Sequence, residues 1–375
     1  MAADYSFHYG PRLIAGPGSA GRLAEHLPAG PVLFVTDAAL LGLGLPRAAL
    51  AALRKAGHDI IIFDAVEADP SAATVLAAVR AGRAGGATSV VGFGGGSPMD
   101  VAKLAAYLLG SGDALEAIYG VEQARGARLP LLLVPTTAGT GSEATPISIV
   151  TTGGSEKKGV VARPLIADVA FLDAGLTLGL PRQVTAATGI DAMVHAIEAY
   201  TSARLKNPVS DALAREALRL LAANLLKACE APGDVAAREA MLLGSHLAGV
   251  AFSNAPVGGV HALAYPLGGH FHVPHGHSNA LMLRQVLRHN LPGAAPLYAQ
   301  LGAVIGAGGG AEGFIDALEA LMRATGLPLE LGALGISHNQ LPLLAAEAMK
   351  QTRLLVNNPV PIGEEDALRL YQQAL

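Results

Sequence analysis

The sequence predicts an α/β domain built on a parallel sheet over residues 1–180, followed directly by an all-helical domain over residues 181–375. Three observations carry this prediction. Short β-rich runs alternate with alanine-rich stretches through the first half, the pattern of a parallel sheet covered by helices. Past residue 180 strand-like runs almost vanish, and apolar residues recur at helical spacing. No low-complexity linker or charge block separates the halves, and 375 residues suffice for two cores.

Along the first half, "FHYGPRLIAG" (7–16) reads as an edge strand. "PVLFVTD" (31–37), "HDIIIFD" (58–64), "ATSVVGF" (87–93), "RLPLLLVP" (128–135) and "DVAFLD" (168–173) read as further strands. Helices are expected to begin near Pro46, Ser71 and Pro98. In the second half, "PRQVTAATGIDAMVHAIEAYTS", "VSDALAREALRLLAANLLKACE" and "SNALMLRQVLRHN" carry helical periodicity. "GGVHALAY" reads as a short helix ended by Pro266, and "VPHGH" as a turn.

Composition narrows the class. With 51% hydrophobic and 15% charged residues, much of the chain can be buried. A net charge of −4 gives no basic field for nucleic acid, and the lack of tryptophan argues against a base-stacking surface. Apolar runs such as "LPLLLVP" are too short to span a bilayer. The N-terminus has no basic-then-apolar leader. The single Cys229 excludes an intrachain disulfide and suits a reducing compartment. The expectation is a soluble, cytoplasmic protein with neither nucleic-acid nor membrane partner.

"VVGFGGGSPMDVAK" (90–103) runs strand, triple glycine, helix. Glycines let the backbone approach a ligand, and the open N–H groups of a first helical turn favour an anion. Pro98 suits that turn because its missing donor is not needed there, and Ser97 can cap the helix or bond a phosphate oxygen. A second small, hydroxyl-rich turn, "VPTTAGTGSE" (134–143), also follows a strand. Two such turns at one end of neighbouring parallel strands flank the crevice where these sheets bind ligands, here a dinucleotide in a Rossmann-like domain. Asp37 ends its strand where a carboxylate can accept bonds from ribose hydroxyls and repel a 2′-phosphate, favouring NAD over NADP. Capping a helix is the plain alternative for such an aspartate. It precedes the glycine turn by roughly sixty residues, so this is not the ordinary G-x-G-x-x-G unit.

Five of the twelve histidines lie between Gly258 and Ala280: His261, His270, His272, His275 and His277. In "TGIDAMVHAIEAY" (188–200), Asp191 and His195 are four residues apart and share one face of a nearly all-apolar helix. An ionised aspartate there is costly unless compensated. Either a structural Asp–His pair or a metal site accounts for it, and the histidine-rich segment can supply further ligands. One aspartate oxygen and three imidazole nitrogens, with His261 and His275 as the candidates, suit Fe(II) or Zn(II). His270, His272 and His277 read better as loop or cleft-lining residues. A nicotinamide site and a divalent ion together point to hydride transfer with the metal as Lewis acid.

At these residues the sequence resembles the iron-containing (group III) alcohol dehydrogenase family. "GGGSPMDVAK", "PTTAGTGSE", "TGIDAMVHAIEAY" and "GGVHALAYPLGGHFHVPHG" occur in family order, with "QTRLLVNNP" (351–359) near the C-terminus. The resemblance implies a dinucleotide-binding domain, a helical metal and substrate domain, and an active site in the cleft between them. It implies Asp191, His195, His261 and His275 as metal ligands. On the cofactor side it implies Asp37, Asp69, Gly95, Gly96, Ser97, Thr136, Thr137, Thr140 and Lys158. It also implies a homodimer or larger homo-oligomer. The activity expected is NAD-dependent, iron-dependent (or zinc-dependent) interconversion of primary alcohols, diols or hydroxy-aldehydes with the matching aldehydes or ketones.

Two departures stand out. Tyr265 occupies the position, four residues after His261, where many members carry a histidine near the nicotinamide. A phenol with a usual pKa near 10 is a poor base at neutral pH. Tyr265 is therefore expected to shape the pocket, with proton release left to the metal-held alcohol and water, or to His270 or His272. Val360 stands where arginine is frequent, which favours neutral substrates. Three rivals remain. A metal-independent maleylacetate-type reductase would not need all four ligands. A dehydroquinate-synthase-like lyase would need a Lys/Arg cluster that the metal motifs lack. A non-catalytic binding protein would not need two cofactor turns beside a metal set.

Overall fold

The computed structural model describes residues 4–153 and 156–375. They form two compact units, one of Tyr9–Leu178 and one of Gly179–Leu375 together with residues 4–8. The N-terminal residues group with the helices because the backbone N–H and carbonyl of His8 both bond Asn254, each at 2.8 Å.

The first unit runs β1 (Arg12–Ala15), β2 (Val32–Val35), α1 (Ala38–Gly42), α2 (Arg47–Lys55), β3 (Ile60–Phe63), α3 (Ala72–Ala84), β4 (Ser89–Gly94) and α4 (Gly96–Ser111). It continues with β5 (Gly120–Val121), β6 (Leu131–Pro135), β7 (Ile147–Thr152), β8 (Glu156–Val161) and β9 (Val169–Leu172). Six strands form a parallel sheet in the order β1-β9-β6-β4-β2-β3. Alternate residues feed opposite cores. Leu33, Val35 and Leu133 pack with α3 and α4, while Val32, Phe34, Leu132 and Val134 pack with α2 and its neighbours. Burial on both faces explains why these strands read as continuous apolar runs. The predicted strands and helix starts of this half all have counterparts.

A three-stranded sheet, β5-β8-β7, was not foreseen. In its hairpin, "ISIVTT" alternates buried and part-buried positions and "EKKGVV" opens with three charged residues, so neither reads as the apolar run that marked the others.

The helical unit comprises α5 (Arg182–Thr201), α6 (Pro208–Glu230), α7 (Val235–Asn254), α8 (Gly259–Phe271), α9 (His275–Ile305), α10 (Gly310–Thr325), α11 (Leu341–Ala348), α12 (Thr352–Leu355) and α13 (Glu364–Gln373). α5 is buried along most of its length against α6, α7 and α9. Among the described residues no single helix is long and apolar enough to cross a membrane. The α7–α8 pair meets that test only jointly, and it is bent by 107°.

Pro266 does not end its helix. α8 continues to Phe271 and stops at His272, whose left-handed backbone (φ 54°) closes the last turn. A proline inside a helix removes the donor for the carbonyl four residues back; in that preceding turn Tyr371 Oη donates to the Leu263 carbonyl at 2.6 Å and ties the turn to α13.

Candidate active site

In the first unit, β2, β4 and β6 are parallel neighbours, and their carboxyl ends carry Asp37, the glycine turn and the threonine loop respectively. The chain leaves β2 toward β3 on one side and returns to β4 on the other, which makes this the switch point of the sheet. Gly95 precedes α4 and Gly96 opens it. A Cβ on Gly96 would lie 3.0 Å from Thr140 Cγ2, and one on Gly95 would lie 3.6 Å from Thr137 Oγ1. The two loops therefore approach closely at the start of α4, where glycines keep the backbone N–H groups uncovered. Thr136 is buried and donates its N–H to the Gly94 carbonyl at 2.9 Å, tying the loop to the turn. Ser97, half-buried, lies in the first turn of α4.

Asp37 caps α1, its Oδ1 accepting from Leu40 N–H at 2.9 Å. The capping alternative is thus realised, and it engages one of the two carboxylate oxygens. Asp69 has a left-handed backbone (φ 53°) and pairs with Lys157 at 2.5 Å. Lys158, the next residue on β8, turns to the opposite face and lies over the Tyr119 ring at 5.5 Å. The lysine beside Asp69 is therefore Lys157.

Two motif residues given no role in the sequence reading hold these loops. Lys103, fully buried, donates to Ser142 Oγ at 2.7 Å and the Ile147 carbonyl at 2.8 Å. Asp100 accepts from Ser142 Oγ at 2.6 Å and Ile149 N–H at 2.9 Å. Burial lowers the Lys103 ammonium pKa against the pull of Asp100 and Glu143. Their spacing, i and i+3 on α4, was the available signal.

In the helical unit the structure brings Asp191, His195, His261 and His275 together, one ligand atom of each lying within 4.8 Å of all the others. His261 Nε2 is 3.0 Å from His195 Nε2, and His275 Nε2 is 3.6 Å from Asp191 Oδ1. Asp191 and His195 come from α5, His261 from α8, and His275 opens α9. Gly276 permits the convergence, because a Cβ there would sit 2.3 Å from the Ala187 carbonyl of α5. The "NNP" segment seats α8: Asn358 Oδ1 accepts from Gly259 N–H at 3.1 Å, and Asn357 donates to the Val257 carbonyl at 2.9 Å. His195 stacks on Phe252 of α7, ring centroids 4.3 Å apart.

Burial raises the Asp191 carboxyl pKa, but His195, His275, His261 and the Asn279 amide together bring it below the ordinary value. Asn279 Nδ2 lies 2.6 Å from Asp191 Oδ1, 3.2 Å from His261 Nε2 and 3.4 Å from His275 Nε2. Three of the four ligand residues thus face the positive end of an amide dipole, the polarity that a cation presents.

Sequence reasoning missed Glu198. It lies three residues after His195 on the same face of α5, is buried, and accepts from His261 Nδ1 at 2.6 Å and Val260 N–H at 2.7 Å. Among the described residues no lysine or arginine pairs with Asp191 or Glu198. The Asp191 carboxylate, buried without such a partner, is a group whose charge a divalent ion can balance. The donor set therefore fits such an ion.

The remaining histidines lie elsewhere. His277 is buried and donates to the Pro328 carbonyl at 2.7 Å. His270 faces Glu347 of α11 at 4.0 Å, and His272 terminates α8. Of the four ligand residues, His275 is the accessible one, with its side chain 35% exposed. The Tyr265 ring lies on that side, 5.8 Å from the His275 ring.

Known proteins decide the family. The sequence pattern described as "Iron-containing alcohol dehydrogenase" matches residues 10–174, and that of "Fe-containing alcohol dehydrogenase family, C-terminal" matches residues 185–375. The chain belongs to the iron-containing alcohol dehydrogenase family. Long-chain-alcohol dehydrogenase 1 of Geobacillus thermodenitrificans is 40% identical over 364 residues, 93% of this chain and 91% of that protein. The structure of a 1,3-propanediol oxidoreductase superposes with a TM-score of 0.96 at 34% identity, covering 100% of each chain. A sulfoacetaldehyde reductase from Bifidobacterium kashiwanohense, solved with NAD+, gives a TM-score of 0.89 at 27% identity, covering 100% of this chain and 99% of that one. An alcohol dehydrogenase family member, this protein is an oxidoreductase with small-molecule substrates, and it has the parallel-sheet and helical regions that the sequence predicted.

Proposed function

We propose that this member is an NAD-dependent, divalent-metal alcohol dehydrogenase, using Fe(II) at Asp191, His195, His261 and His275. Its substrates are neutral primary alcohols, diols or hydroxy-aldehydes and the matching carbonyl compounds. The observation supporting this reading is the buried four-residue cluster, whose ligand atoms lie within 4.8 Å of one another. When bound, the ion supplies a Lewis acid for the alcohol oxygen and the nicotinamide supplies the hydride acceptor.

The chain's own residues do the rest. Asp191 provides the anionic ligand, and the imidazoles of His195, His261 and His275 offer their Nε2 atoms as neutral donors. Because His275 alone of the four is substantially exposed, substrate approaches from its side, where Tyr265 shapes the pocket and excludes water. In the sheet unit, the N–H groups at Gly95, Gly96 and Ser97 take the pyrophosphate. Thr136, Thr137 and Thr140 form the facing loop. The free oxygen of Asp37 accepts from a ribose hydroxyl, and Asp69 and, apart from it, Lys158 are the remaining cofactor-side groups. The names of the similar proteins, covering long-chain alcohols, a diol and a sulfonated aldehyde, support breadth of substrate class, and Val360 favours the neutral ones.

The test is NADH formation by metal-stripped protein, with and without anaerobic Fe(II) or Zn(II), across primary alcohols and diols. Iron-dependent turnover is expected. Turnover indifferent to metal would move the protein to the metal-free reductases.

A further inference from the structure

We propose that Glu198 is the positioning residue of the metal centre: it fixes His261 in the tautomer whose Nε2 is free to bind an ion. This inference rests on the metal reading above. His261 Nδ1 lies 2.6 Å from Glu198 Oε2. A carboxylate is acceptor-only, so the proton of a neutral imidazole is held on Nδ1 and the lone pair is left on Nε2. That Nε2 is the atom pointing into the cluster, 3.0 Å from His195 Nε2 and 4.0 Å from Asp191 Oδ1.

The other carboxylate oxygen accepts the Val260 N–H at 2.7 Å, so both oxygens are engaged and the group is pinned between α5 and the first turn of α8. Beside it lie the polar side chains of Thr201, Asn290, Tyr298 and Asn358. No lysine or arginine is paired to it among the described residues, so its partners are the His261 ring and the Val260 N–H. Outer partners of this kind typically change metal affinity by about 10- to 100-fold.

Glu198→Gln tests this because the amide keeps the shape but can offer only one acceptor oxygen. If that oxygen stays with Val260, the amide nitrogen opposes His261 Nδ1, driving the proton to Nε2 and blocking it. The expected result is about 10- to 100-fold weaker Co(II) and Zn(II) binding, read by chelator competition. A changed Co(II) visible spectrum should accompany it. Glu198→Asp, which retains two acceptors, should recover part of the affinity.

Selective 15N-histidine NMR on metal-free wild type gives a reading that needs no variant: His261 should carry its proton on Nδ1. A proton on Nε2 would overturn the proposal. So would a Glu198→Gln protein that binds metal as tightly as wild type, or one whose only change is a lower melting temperature. Wild type with no affinity for these ions would sink the metal reading itself, and the Glu198 inference with it.

Discussion

At the carboxyl ends of β2, β4 and β6, the groups gathered are backbone amides, hydroxyls and one carboxylate, and space is made by leaving side chains out. In the helical unit, four side chains from α5, α8 and α9 converge, and space is made by packing whole helices. Gly96 and Gly276 mark the contrast. At the first, a Cβ would meet the tip of Thr140 at 3.0 Å; at the second, it would meet a backbone carbonyl at 2.3 Å. A threonine can turn aside, but a helix must move. The sheet-end region is thus built to tolerate small adjustments, whereas the helical cluster depends on a register that no side chain can restore.

The sharpest way to break this contrast is Asp191→Asn, which removes the anionic ligand while keeping nearly the same volume. Metal content and turnover should fall by well over about 100-fold, beyond what loss of an outer partner produces. NADH affinity, measured by fluorescence, should stay near wild type because every cofactor candidate lies in the other unit. Loss of both would defeat the separation.

Lys103→Met addresses the sheet region. It strands Asp100 without its buried cation, and breaking such a pair costs about 3 kcal/mol or more. Denaturant melts should show that loss together with weaker NADH binding, since Lys103 and Asp100 jointly hold the loop through Ser142. Unchanged binding in the folded fraction would mean that the brace does not shape the cofactor loop.

Gly276→Ala should cost about 1–3 kcal/mol by overpacking and weaken Co(II) binding, because α9 must retreat from α5 and take His275 with it. Gly96→Ala should instead raise the KM for NAD and leave Co(II) binding unchanged. Equal effects of the two substitutions on metal would erase the distinction.

Asp37→Ser retains an oxygen for the α1 cap but removes the charge. NAD affinity should drop by about tenfold, the worth of a bond to a charged group, and preference should shift toward NADP. Constant selectivity would leave Asp37 as a cap alone.

The smallest effect concerns Asp168, which accepts from Leu131 N–H at 2.8 Å and receives the Arg128 guanidinium at 2.7 and 2.8 Å. Burial raises its carboxyl pKa, but these bonds hold it below the ordinary value overall. A depressed folded-state pKa contributes stability above the unfolded value, near 3.9, and loses it as pH falls through the folded value. Asp168→Asn should therefore be less stable than wild type at pH 5–7, with the difference closing as pH falls below the unfolded value and through the folded one. A constant difference across that range would exclude the linkage. The half-exposed carboxylate keeps the effect modest.

Legibility tracked locality. The i, i+4 spacing of Asp191 and His195 declared a shared helical face, and the "GGGSP" and "TTAGTG" turns declared strand ends. Glu198 stood one turn further along the same face, yet glutamate on a helix is ordinarily solvated, so its burial was not readable. Pro266 misled for a related reason: its helix-breaking tendency is local, while Tyr371, more than a hundred residues away, ties down the turn before it. The β7–β8 hairpin escaped because neither strand reads as an apolar run.

By itself the sequence determined the fold class, the kinds of donor atom and the short-range pairs, because periodicity and backbone chemistry act over a turn or a strand. Only the tertiary structure decided that α8 and α9 bring their histidines to α5, that Lys157 rather than Lys158 meets Asp69, and that Glu198 backs His261. Each of these depends on how closely two separate segments pack, and that distance is set by the whole core rather than by the residues that meet there.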